Sequence, residues 1–204
     1  MNQPAHLVRW GGYAVFSTAR SNNPMKTCHS RRRVALITTL LGLIFVAEGL
    51  AQSNPTKARD SLLAAAREII GAQQYCGLAT IDSTGRPHVR TMNPFPPDSN
   101  MVVWIATNSR SRKVQEIRSN PRVCLYYADH GKAIGEVSIV GKATLVDEMS
   151  EKLKRKRAYW DQAFPDWKYL ILIKVVPERL EVINYKRGFL NDSVTFAAPS
   201  VTFP

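Results

Sequence analysis

Residues 101–113 read Met-Val-Val-Trp-Ile-Ala-Thr-Asn-Ser-Arg-Ser-Arg-Lys. The first seven (MVVWIAT) are almost all apolar, with β-branched and aromatic side chains that fit a pleated, buried surface, so a strand is expected over 101–107. The next six are hydroxyl, amide or basic residues, and a short helix is expected over 111–118. It stops near Asn120-Pro121, because the residue before a proline is pushed out of the helical region. A helix N-terminus presents free backbone N–H groups and a partial positive charge. Ser111, Arg112 and Lys113 at that point describe a phosphate-binding site by ordinary electrostatics. Three basic and four hydroxyl or amide side chains within residues 107–113 exceed what a solvated turn needs.

Outward from this stretch the chain alternates short strands and turns. A helix is expected over 56–72, where Leu62, Leu63, Ala66, Ile69 and Ile70 recur at helical spacing and Gly71 closes the run. Residues 75–81 and 88–92 form a hairpin around Asp82-Ser83-Thr84-Gly85. Pro94, Pro96 and Pro97 make a loop. Strands follow over 123–128 and 135–146, then a helix over 147–164 with Asp147 as N-cap and Met149, Leu153, Tyr159, Trp160 and Phe164 on its inner side. Two last strands, 169–176 and 179–185, are split by Pro177-Glu178. The fold class expected is mainly β with flanking helices, an antiparallel split barrel of six or seven strands. There is no βαβ alternation and no Gly-x-Gly-x-x-Gly, which argues against a Rossmann domain.

Two further stretches carry chemistry. Gly85-Arg86-Pro87-His88-Val89-Arg90-Thr91-Met92 places an arginine in mid-strand, where its planar fork suits a phosphate. Gly135-Glu136-Val137-Ser138-Ile139-Val140-Gly141 puts Glu136 and Ser138 on one face of a strand, with room for a flat ring and groups to bond its edge.

Together the three stretches resemble the flavin-binding pattern of the pyridoxamine 5′-phosphate oxidase-like family, and within it the general-stress-protein branch. The resemblance covers about residues 58–185 and rests on Gly-Arg-Pro…Arg-Thr-Met, Thr-Asn-x-x-Ser-Arg-Lys and Asn120-Pro121-Arg122-Val123. It implies an FMN phosphate held by Arg90, Ser111, Arg112 and Lys113. It implies an isoalloxazine ring lined by Thr91 and Met92, covered by Ala106 and Thr107, and reached from a second subunit by Glu136 and Ser138. It further implies a homodimer with FMN in the interface. The C-terminal Arg-x-His segment that holds pyridoxal phosphate in the true oxidase is not found: Lys186 and Arg187 follow Tyr185, but no histidine does. Vitamin B6 oxidation is therefore not expected. Glu136 stands where the family places a neutral amide.

The leader is read separately. Residues 1–24 form an upstream extension without periodicity. From Met25 a basic stretch (Lys26, Arg31, Arg32, Arg33) precedes an apolar run of about 14 residues and the small residues Gly49 and Ala51, the pattern of a secretory signal peptide cleaved before Gln52. The alternative is an uncleaved N-terminal anchor, the only membrane contact expected. Either reading exports the domain over 52–190, to the periplasm or beyond. A mis-assigned start would leave it cytoplasmic. Residues 191–204 form a tail, read as a loose extension or a partner-binding arm.

Of the net charge of +12, residues 1–51 hold six basic groups against one acidic, leaving +7 for the rest. Lys152, Lys154, Arg155, Lys156 and Arg157 wrap around their helix rather than forming a stripe, which favours a solvated face over an anion-binding surface. Nucleic acid is not expected as a partner. Cys76 and Cys124 fall inside apolar strand patterns and read as buried thiols, although export would permit a disulfide between them. The function expected is an FMN-dependent oxidoreductase of unknown substrate. The alternative is a non-catalytic protein of the same fold that carries flavin, haem or the deazaflavin F420. For haem, His88 and His130 are the available axial ligands. No side chain reads as an obligatory general base, and His88, Tyr126, Tyr127 and His130 read first as structural residues.

Overall fold

The computed structural model describes residues 55–204. The upstream extension, the signal peptide or anchor and the cleavage point before Gln52 lie outside the described residues. Helix α1 (Pro55–Gly71) is followed by strands β1 (Cys76–Ile81), β2 (Pro87–Met92) and β3 (Val103–Asn108), then helix α2 (Arg112–Ser119), strands β4 (Arg122–Ala128) and β5 (Gly135–Val146), helices α3 (Met149–Lys154) and α4 (Trp160–Ala163), and strands β6 (Leu170–Asn184) and β7 (Ser200–Thr202). The strands form one antiparallel sheet in the order β2-β1-β4-β5-β6-β3, with β7 added along β6. This curled sheet is a split barrel, as the alternating patterns predict.

The interior follows from the period of two. Leu78, Val103, Ile105, Val123, Leu125, Tyr127, Val137, Ile139, Val175, Leu180 and Val182 point inward and are buried. Helix α1 closes one end with Ala65, Ala66, Ile69 and Ile70, and the Asn184 amide donates to the Ala65 carbonyl at 3.2 Å. A second apolar cluster, centred on Trp160, Leu170 and Leu172, lies outside the barrel against Phe95, Trp104, Ala106, Phe164 and Trp167.

Three expectations are corrected. The last two strands are one. Pro177 sits at a bulge where β6 shifts register against Val140 and Gly141, so its missing N–H interrupts no ladder bond. Gly141 is required there, because a Cβ would lie 2.1 Å from the Val176 carbonyl oxygen. The helix over 147–164 is two short pieces. Arg157 leaves the helical path to donate to Asn93 Oδ1 at 2.7 Å and to the Pro94 carbonyl at 2.6 Å. Asp147 does not cap α3; Glu148 stands at the N-cap, while Asp147 pairs with Lys152. Lys152 is buried, whereas Met149, Leu153 and Tyr159 face solvent. The tail is an arm, but it packs on its own chain. Ser200, Val201 and Thr202 pair with β6, and Arg59 lies over the Phe203 ring. Cys76 and Cys124 are both free thiols.

Candidate functional site

The basic cluster predicted at the start of α2 is assembled. The three elements β2, β3 and α2 bring Arg90, Thr107, Ser111, Arg112 and Lys113 together. Lys113 Nζ donates to Thr107 Oγ1 at 3.1 Å. Arg112 Nε lies 3.1 Å from Glu116 Oε1, one helical turn on, and Arg90 Nη2 donates to Glu116 Oε2 at 2.8 Å. Arg90 also donates to Thr80 Oγ1, which in turn donates to Glu116.

Among the described residues Glu116 pairs with Arg90 and Arg112, and its charge also acts on Lys113. It is buried, and burial alone would raise its pKa. Hydrogen bonds from Thr80 and Arg90, with the nearby charges of Arg90 and His88, outweigh that and hold it below its ordinary value. Lys113 shows the surplus of positive charge from the other side. Burial first, and then the Arg90 cation, lower its amine pKa against the opposing pull of Glu116. Ser111 caps α2 in extended conformation but makes no side-chain cap bond, and among the described residues its buried Oγ has no hydrogen-bond partner. The first N–H groups of a helix have no intrahelical partner. An orphaned hydroxyl, open N–H groups and three cations around one carboxylate form a cradle suited to a phosphate.

Behind Arg112, His88 Nδ1 lies 3.4 Å from its guanidinium, while His88 Nε2 lies 2.9 Å from Asp82 Oδ2. That bond, with three more from the Thr84 hydroxyl, the Arg86 N–H and the Thr84 N–H, drives the Asp82 pKa far down.

The ring-lining candidates divide. Thr91 is exposed and, with Arg90, lines a cavity of about 360 Å³ whose other walls include Tyr75, Gly77, Val89, Tyr126 and His130. Met92 alternates inward and its side chain lies in the barrel core. Ala106 points away from Thr107 into the second apolar cluster. Glu136 and Ser138 lie on the outer face of β5, apart from the cradle. Glu136 accepts from the Tyr126 hydroxyl, which pushes the Tyr126 pKa up to about 12, and lines a smaller cavity of about 190 Å³ with Tyr126, His130 and Tyr185. The two cavities share Tyr126, Ala128 and His130, so Arg90 and Glu136 are joined by one wall.

Glu116, Thr80 and the Asp82–His88 pair were not expected at this site. Glu116 was legible as the residue four beyond Arg112. Thr80 was legible from the hairpin register, in which it faces His88. Among the described residues no group of His, Cys, Asp and Glu is arranged to hold a metal ion.

Comparison with known proteins adds the following. The family model described as pyridoxamine 5′-phosphate oxidase matches residues 62–184. Among solved structures, general stress protein 26 from Bacillus anthracis is 24% identical with a TM-score of 0.51, covering 59% of this chain and 92% of its own. A protein from Clostridium acetobutylicum, related to general stress protein 26 of B. subtilis, is 18% identical with a TM-score of 0.56, covering 71% and 94%. A heme-binding protein from Mycobacterium smegmatis is 14% identical with a TM-score of 0.50, covering 68% and 56%. At these identities the likeness concerns the fold. No curated protein matches.

Proposed function

The chain belongs to the pyridoxamine 5′-phosphate oxidase family, and from that premise we propose that it binds FMN and works as a flavin-dependent oxidoreductase. The observation that carries this reading is the cradle at α2. Arg90, Arg112 and Lys113 outnumber Glu116, and Ser111 Oγ is buried and unbonded beside them. Arg90, Ser111, Arg112 and Lys113 would hold the phosphate. Bound FMN would supply hydride or electron transfer, and the protein would supply binding, orientation and polarity. Thr91 and the Tyr126–Glu136 pair would set the polarity along the cavity wall, with the Tyr126 phenol held in its protonated form.

We place a second subunit on the outer face of β1, β2, β4 and β5. Gly77, Val89, Thr91, Cys124, Tyr126, Ser138 and Val140 leave that face half-exposed or exposed, with small or apolar side chains. Covering it would close the cavities that contain Thr91 and Glu136. Export by the leader remains part of the proposal.

Haem is the second reading. His88 is tied to Asp82 and faces Arg112, whereas His130 is exposed at the shared cavity wall, so His130 is the ligand that reading requires. F420 would use the same cradle through its phosphate. The test is the absorption spectrum of the purified full chain after expression with added riboflavin. Flavin bands, with FMN released on denaturation, support the reading. A Soret band abolished by His130→Ala replaces it with haem. A colourless protein that takes up neither cofactor overturns both.

A further inference from the structure

A cavity of about 450 Å³ lies between the C-terminal end of α1 and the loop over 93–97, within the usual size range of small-molecule sites. It shares no wall residue with the cavity beside Arg90. Ile70, Pro94, Phe95, Pro96 and Pro97 make its walls apolar, and Gln73, Gln74 and Asn93 add amides.

Two arginines frame it. Arg67 donates to the carbonyls of Pro97, Asp98 and Ser99 at 3.3, 2.7 and 3.0 Å. Arg157 donates to Asn93 Oδ1 and the Pro94 carbonyl and lies 4.0 Å over the Phe95 ring. These partners take hydrogen bonds without cancelling charge. Among the described residues neither guanidinium has a carboxylate within ion-pair distance. Each also keeps its Nε–H out of any hydrogen bond among the described residues, since all the bonds above come from Nη atoms. Tyr127 forms part of the lining as well. It is fully buried, and among the described residues its hydroxyl meets only the Cys76 thiol, a weak hydrogen-bond partner. A buried hydroxyl left with only a thiol beside it keeps much of its desolvation cost, which a ligand oxygen would relieve.

We propose that this cavity binds a small aromatic carboxylate. The acid group lies at Arg67 and Arg157, the ring lies against Ile70, Pro94 and Phe95, and an oxygen on the far side of the ring bonds the Tyr127 hydroxyl. Two uncompensated cations select the negative charge, the proline and phenylalanine wall selects the flat apolar body, and Tyr127 selects the second oxygen. The site stands whether or not the cradle at α2 takes FMN.

The test is calorimetric titration of the full chain with 4-hydroxybenzoate, benzoate and benzamide. Both acids are expected to saturate one site, with benzamide about tenfold or more weaker for want of a charge. The phenolic oxygen is expected to give 4-hydroxybenzoate a several-fold preference over benzoate, and Tyr127→Phe is expected to abolish it. That variant removes a hydroxyl whose one polar neighbour is a thiol, so its melting temperature should fall little. Failure of both acids to saturate, benzamide binding as well as benzoate, or a preference that survives in Tyr127→Phe would each overturn the assignment.

Discussion

Two basic clusters lie on this chain, one over 110–113 and one over 152–157, and they differ in what their charges have left to bind. In the second, Lys152 pairs with Asp147 at 2.5 Å and Lys156 with Asp161 at 2.9 Å. Arg155 pairs with Glu151 and lies 3.6 Å over the Trp104 ring. Arg157 fastens the segment to Asn93, Pro94 and Phe95. Those cations are a fastening between a broken helix and the barrel. In the first cluster, Arg112 and Lys113 join Arg90 around the single carboxylate of Glu116, and a buried serine hydroxyl points to no partner. The lesson is that a run of basic residues says little until its counter-charges are counted. In the longer run Lys152, Arg155 and Lys156 each have a carboxylate of their own, whereas in the shorter one Arg112 shares Glu116 with Arg90 and the surplus charge is left waiting for an anion.

That contrast can be broken by mutation. The largest effect is expected from Arg112→Ala with Lys113→Ala. Hydrogen bonds to charged groups contribute about 1.5–3 kcal/mol each, so FMN affinity should fall by about 100-fold or more. The matched pair Lys154→Ala with Lys156→Ala should leave it unchanged. Equal losses from the two pairs, measured by flavin fluorescence titration, would erase the distinction.

Next comes Glu116→Gln. It leaves Arg90 without its buried counter-charge and should destabilise the apo protein by about 3 kcal/mol in urea, the scale of breaking a buried pair. It should also change the acid limb. The Glu116 carboxyl is held below its ordinary value of 4.5 in the folded state. Its stabilisation is therefore complete above that value and is lost as pH falls through the folded one. Urea midpoints taken downward from pH 5 should drop less steeply in the variant than in the parent protein.

A smaller effect is expected at Lys152→Met. Its partner Asp147 is 71% exposed and returns to water, so stability should change by no more than about 1 kcal/mol, with FMN binding unaltered. A larger change in thermal unfolding would mean that the fastening depends on this pair. The smallest effect is at Lys113. Its amine pKa is lowered by burial and by Arg90, and an arriving phosphate should move it upward. NMR titration of the Lys113 side chain with and without FMN reads that shift directly.

Where periodicity alone governs, the chain is legible. Strand β5 runs over Gly135–Val146 because its alternation is unbroken there, and the cradle was visible as hydroxyl and basic residues at a strand-to-helix junction. Tertiary terms hid the rest. Pro177 reads as a break until the bulge opposite Gly141 is seen to leave its missing N–H harmless. The helix expected over 147–164 ignores the bonds that draw Arg157 toward Asn93 and Pro94. Met92 and Ala106 read with their neighbours as ring-lining residues, but alternation turns one into the core and the other toward the second apolar cluster. Glu116 carries no signal in the sequence beyond its spacing from Arg112, because a lone acid on a short helix has no meaning until Arg90 arrives from another strand.

The central claim is that the cradle at α2 reads a phosphate. The most direct measurement is the affinity of the full chain for FMN against riboflavin, which differ only in that group. FMN should bind at least about 100-fold more tightly, as expected for two or more charged hydrogen bonds to phosphate, and the gap should close in the Arg112→Ala, Lys113→Ala protein. Equal affinity for the two flavins in the parent protein would contradict the account.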